Sequence, residues 1–115
     1  MMRRLFTALL MAGAIGSGAP ALANEGLRCS IDYRPDRACT MTDRVENGVH
    51  HLEFRLDDGR RVIFIGRSQT GWWSGVLDGK PAMGFERNRS HVIFSTADLQ
   101  TTFTWWRPGS EHGTY

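Results

Sequence analysis

Apolar and polar residues alternate through the middle of the chain. In "VHHLEFRL", residues 49–56, Leu52, Phe54 and Leu56 share one parity, and His51, Glu53 and Arg55 take the other. That period of two marks a strand with one covered face. "RRVIFIG", residues 60–66, follows the turn Asp57-Asp58-Gly59. Val62 and Phe64 lie on one side of it and Ile63 and Ile65 on the other, so both faces are apolar and a central or covered strand is expected. "WWSGVL" and "KPAMGFER" flank Asp78-Gly79 and predict a second hairpin, with Met83 and Phe85 facing inward. "HVIFST" and "QTTFTWW" predict a third around Ala97-Asp98-Leu99.

Turn signals recur at short intervals: Asn47-Gly48, Asp57 to Gly59, Ser68 to Gly71, Asp78-Gly79, Asn88 to Ser90, and Ala97-Asp98. Asn-Gly and Asp-Gly suit the two positive φ angles of a type I′ hairpin turn. No long window has helical spacing with a capping residue before it. The expected fold is therefore all-β: a single small antiparallel β-domain, a meander of hairpins that is barrel-like or a sandwich. Residues 107–115, with Pro108, Gly109 and Gly113, are expected to form a loose tail.

The start of the chain reads differently. Arg3 and Arg4 precede an apolar run from Leu5 to Ile15, and Ala21-Leu22-Ala23 closes the segment. This is the layout of a cleaved secretory signal peptide over residues 1–23. The run is too short for a membrane span, which takes about 20 apolar residues. Cleavage leaves a β-domain of residues 24–115, exported to the periplasm or beyond, with no stable membrane insertion. No Cys follows the small residues directly, so no lipid anchor is expected.

Charge and cysteine usage follow from that assignment. The chain holds 14 basic and 12 acidic residues, and Arg3 and Arg4 leave with the leader. The remaining charges balance, with no basic block to hold nucleic acid. Cys29 and Cys39 are the only cysteines and enclose "SIDYRPDRA". An oxidising compartment favours a structural disulfide between them. A redox or metal role lacks the C-x-x-C spacing.

Two adjacent tryptophan pairs carry the functional reading, since neighbours on a strand point to opposite faces. Trp105 shares its parity with Phe103 and is expected inside, which puts Trp106 outside beside Thr104. Trp73 is expected inside with Leu77, and Trp72 outside. Outward indoles offer large apolar surfaces to a guest. The candidate binding residues are Trp72 and Trp106, the loop Arg67, Ser68, Gln69 and Thr70, and the cations Arg87 and Arg89 of "GFERNRSH".

Other chemistry is sparse. His50, His51, His91 and His112 show no metal-binding spacing, and no G-x-S-x-G is present. The expectation is a non-catalytic protein without cofactor or metal. Its partner would be a protein or an envelope glycan. A small hydrolase or metal-binding protein is the remote alternative.

The chain also resembles the small periplasmic inhibitors of C-type lysozyme. The shared features are the leader, one disulfide, a compact antiparallel β-domain and "LDDGRRVIF" as a strand pair. The family's Ser-Gly loop leads to a Tyr; the matching stretch here is "SQTGWWSG", with Ser68 and Gly71 but no Tyr. Its second loop, with a Lys, has no counterpart. The resemblance implies a hairpin loop placed in an enzyme's cleft, and inhibition of a lysozyme-like hydrolase as the alternative function.

Overall fold

The computed structural model describes residues 25–110. The signal peptide expected over 1–23 lies outside them. Eight strands run in order: β1 Glu25–Ile31, β2 Arg37–Glu46, β3 Val49–Leu56, β4 Arg61–Ser68, β5 Trp72–Leu77, β6 Lys80–Asn88, β7 His91–Thr96 and β8 Thr102–Trp106. Each pairs antiparallel with the next, and β8 returns to β1, from Arg28 opposite Trp106 to Ile31 opposite Phe103. The sheet is a closed up-and-down barrel, one of the two closures expected of the all-β chain. No strand edge is left open. Strands β1 and β2 come from a stretch, around "SIDYRPDRA", to which the alternation of apolar and polar residues assigns no strand.

The hairpins form for local reasons. Asn47 and Gly48 sit at φ 52° and 79°, and Asp78 and Gly79 at 48° and 85°, the pair of positive angles a type I′ turn demands. Cys29 and Cys39 are joined across β1 and β2, and both are buried.

Side chains fill the barrel, as in other eight-stranded barrels. Phe54 meets Phe103 at 4.8 Å between ring centroids, and Phe64 stacks on Phe94 at 4.3 Å. Leu27, Leu52, Leu77 and Val92 pack between them. Trp73 and Trp105 are both buried, as their parity predicts.

Three glycines allow close approaches within the wall and core. Gly66 and Gly75 stand opposite each other on β4 and β5. A Cβ on Gly66 would fall on the Ser74 carbonyl oxygen, and one on Gly75 on that of Ile65. A Cβ on Gly84 would lie 2.7 Å from the Phe94 ring. Small residues opposite large ones let a tapered interior fill.

Gly84 also corrects the expected facing of β6. Ala82, Gly84 and Asn88 are buried, while Met83 and Phe85 are 44% and 56% exposed. The Phe94 ring and the Trp73 Cβ already occupy the space at position 84, so the apolar pair is turned out. Ile63 and Ile65 on β4 are half-buried on the outer wall, with no second layer of strands over them.

Candidate functional site

Two regions of the barrel collect functional side chains. The first is the outer wall of β5 and β6. Trp72 faces Phe85 directly across the pair, and Ser74 faces Met83. Ile93 follows Phe85 on β7. Trp72 is 39% exposed, so three neighbouring large apolar side chains meet solvent together. Monomeric proteins scatter single apolar residues over their surface, but contiguous ones mark contact sites. Toward the end of the barrel carrying loop 69–71, Arg67 and Arg87 border this face. Neither is in an ion pair among the described residues.

The loop beside this face is held by its backbone. Gln69 N donates to Trp72 O at 2.6 Å, and Glu86 N donates to Gly71 O at 3.0 Å. Gln69 and Thr70 remain exposed.

The second region is the barrel mouth at the same end, a recess of about 230 Å³. Inward parity changes from apolar to polar here. Asp43 on β2, His50 on β3, Ser68 on β4 and Glu86 on β6 replace the aliphatic residues deeper in. His50 Nδ1 lies 3.1 Å from both Asp43 carboxylate oxygens, and its ring meets Trp73 edge-on at 4.9 Å. Trp73 Nε1 donates to Glu86 Oε2 at 2.8 Å. Arg89 and Arg107 enter from the rim, the latter 6.0 Å from the Trp105 ring.

The Asp43–His50 contact is of the kind that orients the base in a nucleophile-activating triad, but a triad also needs a nucleophile bonded to the imidazole. Ser68 lines the same recess, but its hydroxyl donates to Gln69 O at 3.4 Å, and no hydrogen bond joins it to His50 among the described residues. No cluster of metal-ligating side chains is present among the described residues.

The residues singled out by sequence divide between these regions. Trp72, Arg67 and Arg87 are on the outer wall; Ser68 and Arg89 line the mouth; Gln69 and Thr70 form the loop between. Trp106 lies apart from Trp72. Strands β6 and β7 separate them, three strand spacings or about 14 Å along the wall. Trp106 is half-buried, its ring 5.5 Å from that of His91. The start of the expected tail is fastened beside it. Arg107 N and Ser110 Oγ both donate to Ser90 O, and Asn88 Nδ2 donates to Ser110 O. Residues 111–115 lie outside the described residues.

Phe85 and Met83, and the mouth residues Asp43, His50, Glu86 and Trp105, were not among the sequence candidates. Gly84 is the signal that finds the first two: a glycine inside a strand marks a close approach of neighbouring atoms and so the packed face. No known protein family, curated protein or solved structure matches this chain.

Proposed function

We propose that the chain is an exported, non-catalytic binding protein that docks a partner protein on the outer wall around Trp72, Met83 and Phe85. The observation that carries this reading is the side-by-side exposure of those three residues on paired strands. Closure of the barrel leaves no free strand edge, so a partner is met by side chains and not by strand addition. Arg67 and Arg87 at the border favour an apolar surface with an acidic rim. The Cys29–Cys39 disulfide suggests an oxidising compartment, and we place the mature protein in the periplasm or outside the cell.

A photo-crosslinking amino acid at position 85, in cells that export the protein, tests this. One discrete heterologous protein band is expected, lost in a Trp72→Ser/Met83→Ser background and absent with the crosslinker at position 42 on the opposite wall. No band, a band formed equally from position 42, or only a homodimer band overturns the reading.

Inhibition of a lysozyme-like hydrolase is the second reading. It is favoured by the exposed loop 69–71 being held in one shape by the two backbone bonds above, since preorganised loops lose little on binding. Lysozyme turnover with added protein separates the two.

A further inference from the structure

We infer that the barrel mouth is a second, separate binding site, shaped for one uncharged sugar unit. It is independent of the outer-wall reading, because Trp72 lies on the other side of the sheet from it.

Three features converge. The first is an unmet donor. Trp105 lines the recess, is 4% exposed, and its Nε1 is buried with no hydrogen-bond partner among the described residues. A buried donor left unmet is costly, so an acceptor arriving in the recess is favoured. The second is charge balance. Asp43 and Glu86 bring two carboxylates and Arg89 and Arg107 two guanidinium groups. A ligand of either sign meets one pair repulsively; a neutral one meets both as hydrogen-bonding groups. Hydroxyls donate to carboxylates and accept from guanidinium and indole N–H, so a polyhydroxyl ring uses all of them. The third is shape. Trp73 and Trp105 contribute only small parts of two indoles to the lining, both being more than nine-tenths buried, so the recess meets a ring's C–H groups with an apolar wall and not with a stacking face. A cavity of about 150 Å³ admits benzene, and this recess of about 230 Å³ has room for one substituted ring.

Titration of the ¹⁵N-labelled protein with N-acetylglucosamine and glucose, and separately with glycine and alanine, tests the assignment. A sugar is expected to shift the Trp105 indole N–H resonance saturably in the millimolar range and leave that of Trp72 in place. Trp105→Phe keeps an aromatic ring but removes the donor together with the pyrrole half of the indole, and is expected to weaken binding about three- to tenfold. Arg89→Ala, at an exposed hairpin position, weakens it in the same direction without touching the core. No saturable shift with either sugar up to about 50 mM overturns the inference. So does a response confined to the amino acids, or sugar binding unchanged in both variants.

Discussion

The indole N–H of Trp73 and the carboxylate of Glu86 meet across β5 and β6 at 2.8 Å, just inside the barrel mouth. The bond ties a polar residue of the mouth to an aromatic ring that also packs on Phe64 and Phe94. It anchors the strand that turns Trp72 outward. Replacing Glu86 by Leu removes the acceptor and leaves the donor of a buried tryptophan unmet, at a cost of about 1–3 kcal/mol. Glu86→Gln keeps an acceptor oxygen and is expected to cost much less. Urea unfolding of the two variants checks the order; equal losses would show that the carboxylate's charge, and not its acceptor, holds Trp73.

The glycines facing the interior predict a graded series. Gly75→Ala puts a methyl on the Ile65 carbonyl, where only backbone movement can relieve it. Gly84→Ala presses on the Phe94 ring, which can shift slightly. Overpacking of this kind costs about 1–3 kcal/mol, and more when backbone must move. Gly26→Ala meets nothing within 4 Å and is the control. Thermal melts are expected to rank Gly75→Ala as least stable, then Gly84→Ala, with Gly26→Ala near the parent.

Those glycines also show where the sequence was legible and where it was not. The turns from Asn47 to Asp98 were readable, at Asn47-Gly48, Asp58-Gly59 and Asp78-Gly79 because the dipeptide states a backbone requirement locally, and at the others because small polar residues interrupt the apolar alternation. The inward parity of Leu52, Phe54 and Trp105 was readable because each shares its parity with apolar neighbours; that of Val62 and Phe64 was not, because Ile63 and Ile65 make the other face equally apolar. Strand β6 misled, because Met83 and Phe85 are the apolar members of their strand and still face out. What decides that is the bulk of Phe94, contributed by the next strand. The mouth was illegible on similar grounds. Asp43 and His50 meet within one hairpin, but Glu86 and Trp105 join them only through closure of β8 on β1, which no short stretch encodes.

The disulfide links β1 to β2 beside the seam where the barrel closes. Its loop is short, so on the chain-entropy account it contributes about 2–3 kcal/mol. A Cys29→Ser/Cys39→Ser variant is expected to lose at least that much, since both sulfurs are buried and two hydroxyls would replace them. Denaturation of the parent protein with and without reductant measures the same quantity. A parent midpoint unmoved by reduction would mean that strand pairing alone closes the barrel.

The turn between β7 and β8 predicts an acid-sensitive element. The Asp98 carboxylate accepts from Thr96 Oγ1 at 2.6 Å, from Gln100 N at 3.0 Å and from Lys80 Nζ at 3.1 Å. These bonds favour the ionised form and lower its pKa from 3.8 to about 2, the Thr96 hydroxyl contributing most. The folded protein therefore binds this proton less readily than the unfolded chain. The turn's contribution is complete above about pH 5 and is lost as pH falls through 4 toward 2. Asp36, lowered chiefly by its bond from Arg28, and Asp58, lowered chiefly by the Arg60 backbone N–H, act in the same sense. All three are exposed, so added salt weakens the part that comes from charge. Asp98→Asn keeps an acceptor for Thr96 and Gln100 but cannot titrate. Its stability deficit against the parent should be present at pH 6 and shrink steadily toward pH 2. A deficit independent of pH over that range would assign the role of Asp98 to turn geometry and not to its charge.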